Sequence, residues 1–153
     1  MADDLFQPPD VFRFLQRVEA NLPDTFDMKF QPSIGDTHPD AVVISQDGLQ
    51  SVLEIKLGSG LLHIADLAQV VAYRDALANV TSEEGNPQAA PSAVLVTNLK
   101  GSALIDDAAA KLHVKIVGPD RTNAELAAKA ADYLKGLDPA SIDKQVASGN
   151  SQL

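Results

Sequence analysis

Residues 38–56 read HPDAVVISQDGLQSVLEIK. Two runs rich in β-branched residues, 41–45 and 51–57, flank Asp47-Gly48, and that dipeptide between apolar runs predicts a β-hairpin. Side chains alternate along a strand, so Glu54 and Lys56 share one face while Leu53, Ile55 and Leu57 share the other, the core face. A carboxylate and an ammonium set two apart beside a buried strand are costly unless they are paired or hold an ion. Asp40 stands at the far end of the partner strand, and the hairpin returns it to their side. Register imposes a condition. A two-residue loop at Asp47-Gly48 sets Asp40 opposite Ile55 and points it into the core. A three-residue loop over 47–49 sets it opposite Lys56, with all three polar groups on one face. A working constellation therefore requires an odd loop, with a glycine bulge, or a distortion near Asp40.

On either side of the hairpin the pattern is that of an α/β domain. Upstream, Val11, Phe14, Leu15, Val18 and Leu22 recur at helical spacing, with Asp10 as N-cap and Pro23 as the stop. Arg13, Gln16, Arg17 and Glu19 take the other faces, and a short strand follows over 26–30. Downstream, Gly58-Ser59-Gly60 ends the second hairpin strand, and 62–77 is a helix apolar on nearly every side, which points to burial all round. Residues 81–91 form a polar surface loop, with Glu83-Glu84 solvated. A continuous apolar run, 93–97, is a buried central strand. A helix over 102–112 and a short strand over 114–117 come next, and Gly118-Pro119 stops that strand. Thr122 with Glu125 forms a capping box for the last helix. The predicted order is helix, three strands, helix, strand, helix, strand, helix: one domain over 1–137 with a mixed central sheet flanked by helices, and a polar, frayed tail over 138–153.

Composition narrows the chemistry. The 153 residues include no cysteine and three histidines, which excludes disulfides, thiolate catalysis and Cys-ligated zinc. No run approaches the ~20 apolar residues of a membrane span, and the acidic start MADDLFQPPD has no secretory h-region, so a cytosolic protein is expected. Lysine and arginine number 12 against 21 acids, a formal net charge of −9. Affinity for nucleic acid comes largely from neutralised phosphates, so such a chain needs basic groups gathered at a site, or a partner that supplies the binding surface.

Two carboxylates a few ångströms apart favour a divalent cation between them, and all-oxygen ligation suits Mg²⁺ or Mn²⁺. Asp40 and Glu54 are the candidate ligands, with the Ile55 carbonyl as a further one, and Lys56 is placed to orient a water and offset charge on a phosphate. On the following helix Gln69 and Tyr73 stand four apart on one face. A glutamine in so apolar a helix needs partners for its amide, which the hairpin could supply.

The pattern Pro39-Asp40, then Glu54-Ile55-Lys56, then Gln69 and Tyr73 resembles the RecB-like branch of the PD-(D/E)XK nuclease superfamily. Over residues 10–120 it is also similar to the catalytic domain of NucS (EndoMS)-type endonucleases. The resemblance implies a restriction-endonuclease-like fold and Mg²⁺- or Mn²⁺-dependent hydrolysis of nucleic acid, DNA before RNA. It implies metal binding by Asp40 and Glu54, assistance to water by Lys56, and site support or substrate-backbone contact by Gln69 and Tyr73. An acid on the first helix often helps in such folds, and Glu19 is the candidate here. The chain lacks the separate N-terminal dimerisation and DNA-binding domain of the NucS type, which leaves a homodimer or a partner protein to complete a DNA-binding surface.

Each signal has an ordinary explanation beside the catalytic one. The ordinary reading of Glu54 and Lys56 is a surface ion pair, that of Asp40 a turn or strand-start residue, that of Gln69 a solvated helix position and that of Tyr73 core packing. Asp66 reads as an early-helix acid at the positive end of the dipole, and His38 and His63 as loop or helix-start residues. The rival to a nuclease is a non-catalytic binding or assembly module that keeps the fold; for a DNA mimic the acids are too dispersed.

Overall fold

A computed structural model describes residues 9–83 and 90–137. The element order is the predicted one: α1 (Pro9–Ala20), β1 (Asp27–Phe30), β2 (Ala41–Ile44), β3 (Gln50–Lys56), α2 (Ile64–Glu83), β4 (Ser92–Thr97), α3 (Ala103–Leu112), β5 (Val114–Val117) and α4 (Asn123–Lys135). The strands form one sheet in sequence order, β1-β2-β3-β4-β5. The first two pairings are antiparallel and the last two parallel, so the sheet is mixed. The parallel pairings need crossover helices, and α2 and α3 are those crossovers. The proposed tail over 138–153 and the loop residues 84–89 lie outside the described residues. None of the described helices is long and apolar enough to cross a membrane.

Helices cover both faces of the sheet. On one, α1 and α4 pack Phe14, Leu15, Val18, Leu126 and Leu134 against Leu53, Ile55, Val94 and Val96. On the other, α2 and α3 pack Leu67, Val70, Leu77 and Ile105 against Val42, Val52 and Leu95. Alternation along β3 puts Glu54 on the α2 face with Val52. The expectation of a single core face on this strand therefore fails: residues 51–55 are all buried, Glu54 included at 4% exposure.

Other boundaries move for local reasons. Asp10 lies inside α1 rather than capping it, because Pro9 takes the first helical position, where its missing N–H costs nothing. The helix ends at Ala20 rather than Leu22, where the Asn21 amide donates to the Arg17 carbonyl (2.9 Å). α2 continues to Glu83, past the predicted end at 77 and into the predicted loop. It is also not buried all round: Leu67, Val70 and Leu77 face the sheet, whereas Ala65, Ala68 and Ala72 are exposed. Alanine favours helix on propensity alone and leaves little side chain to bury. Thr122 caps the last helix as read, accepting from Glu125 N–H, whereas Ser102, read as the first residue of its helix, is instead its N-cap and accepts from Ile105 N–H.

At Gly118 the backbone has φ +106°, and a Cβ there would collide with the Thr97 carbonyl oxygen and lie 2.7 Å from Leu126 Cδ1. Two independent penalties, left-handed backbone and a clash against buried atoms, act at one position. Gly118→Ala is expected to cost about 3 kcal/mol or more in urea unfolding, whereas Gly101→Ala, whose Cβ would meet only the Asp106 carboxylate at 3.4 Å, should cost far less.

Candidate active site

The hairpin turn fixes the geometry of the site. Ser45 N–H donates to Leu49 O (2.9 Å) and Gly48 N–H to Ser45 O (3.0 Å), so the loop is 46–48, three residues with Gly48 at φ +84°. The required odd loop is present, one residue earlier than the expected 47–49. Leu49 is buried at 6% exposure and pairs as strand, while Gly48 takes the left-handed position that ends such loops. Ala41 consequently pairs with Leu53, and continuing that register sets Asp40 opposite Glu54, not Lys56. Parity is preserved, so Asp40, Glu54 and Lys56 still share the α2 face.

All three lie at one end of the sheet, where β3 and β4 end and β2 begins. Asp40 Oδ2 accepts from Ile55 N–H (2.8 Å). Lys56 O accepts from Asn98 N–H (3.1 Å), so the main-chain groups of Lys56 point toward β4. By alternation those of Ile55 point the other way, into the gap beyond the start of β2 that Asp40 occupies. The Ile55 carbonyl thus faces the same gap as the Asp40 side chain.

Glu54 is the unusual group. Its pKa is pushed up from 4.5 to about 9, first by burial, then by a hydrogen bond to the Asp40 side chain and by that carboxylate's charge. Lys56 and the Asp40 backbone N–H oppose the shift. Near neutral pH Glu54 is therefore protonated, with its carboxyl hydrogen-bonded to the Asp40 side chain. A divalent cation would take the place of that proton. The donors are all oxygen, which fits Mg²⁺ or Mn²⁺. No cluster of three His, Cys, Asp or Glu is found among the described residues. An ion here would be held by Asp40, Glu54 and the Ile55 carbonyl, with the remaining positions left to water or substrate, the habit of Mg²⁺.

Above the pair stands α2. Gln69 Nε2 donates to Tyr73 Oη (2.9 Å), so the amide finds its partner on its own helix rather than on the hairpin. The Tyr73 pKa is raised, by burial first and then by the negative charge of Glu54, with a smaller part from Asp40. Tyr73 packs against the core on the α2 side of the sheet, the face that carries Glu54. Glu19 does not join them: it is exposed on α1, the helix that covers the opposite face. His38 is exposed in the loop before β2, with Ser33 Oγ 3.5 Å from its Nδ1, and His63 is exposed ahead of α2.

Asp66 is more than the end-of-helix acid it reads as. Its Oδ2 accepts from His63 N–H (2.9 Å), half of a capping box, and its Oδ1 lies 4.0 Å from Lys56 Nζ. The spacing Asp66, Gln69, Tyr73 places it on the site-facing side of α2, and this was the available signal. Asp66→Ala should lower unfolding stability by about 1 kcal/mol through the lost cap, read by urea denaturation, and should release Lys56 from its partner.

No family model matches the sequence, and no curated protein matches it. Among solved structures the chain is similar to a repair endonuclease from Pyrococcus abyssi (19% identity, TM-score 0.48), covering 72% of this chain and 46% of that one. It is similar to AF1548, a protein of unknown function (18%, TM-score 0.46; 92% and 77% covered). It is also similar to Pyrococcus furiosus SfsA, solved with Ca²⁺ (16%, TM-score 0.35; 67% and 52%). The chain spans less than half the length of the endonuclease.

Proposed function

We propose that this domain is a PD-(D/E)XK-type nuclease that hydrolyses phosphodiester bonds of nucleic acid, DNA before RNA, with Mg²⁺ or Mn²⁺. The observation that carries the reading is Glu54: a nearly fully buried carboxyl held against Asp40, with Lys56 on the same face at the open end of the strand. A surface ion pair does not explain it, because Glu54 is not at the surface and the Lys56 partner within salt-bridge range is Asp66. A buried acid with a strongly raised pKa beside a second acid is costly to the fold, and such groups gather at functional sites.

Asp40, Glu54 and the Ile55 carbonyl would hold the cation, which when bound supplies polarisation of a phosphoryl oxygen and a water of lowered pKa. Ile55 N–H holds Asp40 in place, and Glu54 beside it is buried on the α2 face. Lys56, 30% exposed at its side chain and steadied by Asp66, presents an ammonium to the solvent side, where it orients the attacking water and offsets charge growing on the phosphate. Gln69 and Tyr73, hydrogen-bonded to each other on α2, offer an amide and a phenol to the substrate backbone.

The formal net charge of −9 favours one rival, a binding or assembly module that retains the fold. Cleavage separates the two. Labelled single-stranded, duplex and branched DNA and a matching RNA are incubated with protein in Mg²⁺ or Mn²⁺. The nuclease reading expects metal-dependent cleavage of at least one substrate, lost in Glu54→Ala and Lys56→Ala. Intact substrates throughout, with no cation bound at Asp40 and Glu54, would leave the module.

A further inference from the structure

A chain this acidic needs cations gathered locally to hold a polyanion. Most of its described basic groups are already engaged: Lys56, Arg74, Lys111, Arg121, Lys129 and Lys135 each lie within 4.0 Å of an acid. Of the described basic residues outside these ion pairs, Lys29, Lys100 and Lys115 stand singly, whereas Arg13 and Arg17 stand together. They are exposed, one turn apart on α1, and among the described residues neither forms an ion pair. Both line a cleft of about 210 Å³ between α1 and the start of α4, together with Asp10, Phe14 and Asn123.

This cleft opens at the same end of the sheet as the acid pair. The Phe12 ring sits 5.2 Å from that of Phe30, and Phe30 pairs with Ala41, the residue after Asp40. From the other side, Asn123 Oδ1 accepts from Asn98 Nδ2 (2.9 Å), and Asn98 N–H donates to the Lys56 carbonyl (3.1 Å). Two hydrogen bonds therefore tie the cleft to the strand that carries Glu54 and Lys56. The acid pair lies on the α2 face and the cleft on the α1 face, with only the end of the sheet between them. With Oδ1 engaged by Asn98, the donor that Asn123 offers is its Nδ2.

We propose that Arg13 and Arg17, with Asn123, form a second phosphate subsite that holds the sugar–phosphate backbone a few nucleotides from the scissile bond. The proposal rests on the nuclease reading. Two guanidinium forks at i and i+4 match successive anionic groups along one strand, and Arg binds phosphate through paired N–H donors. A strand crossing the end of the sheet from one face to the other spans on the order of 10 Å, about three or more nucleotides at ~3.4 Å each. Asp10 in the same cleft leaves a modest net positive charge, so the subsite should be sensitive to salt.

The test compares wild type, Arg13→Ala/Arg17→Ala and Arg13→Lys/Arg17→Lys. Binding of a labelled single strand of about 20 nucleotides is followed by anisotropy in EDTA over a salt series. Cleavage of that strand and of a trinucleotide is then measured in Mn²⁺. The alanine pair should weaken binding about tenfold, and the slope of log affinity against log salt should fall by about 1.4, the share of two phosphates on a single strand. KM for the long strand should rise with kcat unchanged, trinucleotide cleavage should be unaffected, and the lysine pair should keep most of the salt slope. Unchanged affinity and slope in the alanine pair, with wild type binding and cleaving, would overturn the subsite alone. A wild type that neither binds nor cleaves would overturn the nuclease reading and the subsite with it.

Discussion

Glu54→Gln is expected to make the metal-free protein more stable at neutral pH and to abolish the metal-dependent cleavage proposed for it. The stability effect follows from linkage. In the unfolded chain Glu54 ionises near 4.5, whereas in the fold it holds its proton up to about 9. Between those values the unfolded state binds fewer protons than the native state, so stability falls as pH rises across that window. Below about 4.5 both states are protonated and the penalty vanishes. At pH 7 the penalty is bounded at about 3 kcal/mol, at 1.36 kcal/mol for each pH unit above the unfolded value. Glutamine keeps the shape and a donor toward Asp40 but never ionises, so it escapes the cost. Urea unfolding in EDTA should show the variant gaining over wild type at pH 7–8 and little or nothing near pH 4.5. An equal difference at both pH values would mean that Glu54 is not held protonated. Cleavage in Mg²⁺ or Mn²⁺ should fall by about 10³-fold or more, because a ligand carboxylate is gone. Higher stability with lost activity is the signature of a group kept for chemistry against the interest of the fold.

The second large effect is expected at Lys56. Lys56→Ala should lower kcat by about 10²–10³-fold, the usual cost of removing one group that stabilises charge in a transition state. Binding of Mn²⁺ should survive, since Lys56 is not a ligand; its charge lowers the Glu54 pKa but also repels a cation, and the two effects oppose each other. Single-turnover cleavage at saturating Mn²⁺, set beside an Mn²⁺ titration, separates the two. Unchanged kcat would reduce Lys56 to a partner of Asp66, worth a few tenths of a kcal/mol at this exposure.

The fold was readable because its signals are local and agree with one another. Asp47-Gly48 between β-branched runs, the apolar run of residues 93–97 and the Thr122 cap each depend on a few neighbours. Register was harder. Parity followed from the demand that Asp40 share a face with Glu54, but its exact value depended on Gly48, rather than Leu49, closing the loop. The burial of Glu54 was not legible, since it depends on α2 folding back over a strand that alternation alone leaves half open. Asp66 was missed for the same reason: its bond to the His63 backbone is local, but its approach to Lys56 is tertiary. Glu19 shows the converse, a residue of the right type on a helix that the topology sends to the other face.

Exchange of the Glu54 proton for a divalent cation at Asp40 and Glu54 is measured directly by calorimetric titration with Mn²⁺ in buffers of different ionisation enthalpy. Wild type should bind one ion and release about one proton at pH 7, with affinity rising toward pH 9. Glu54→Gln should bind far more weakly and release none. Binding without proton release, or no binding by wild type at any pH up to about 9, would contradict the account.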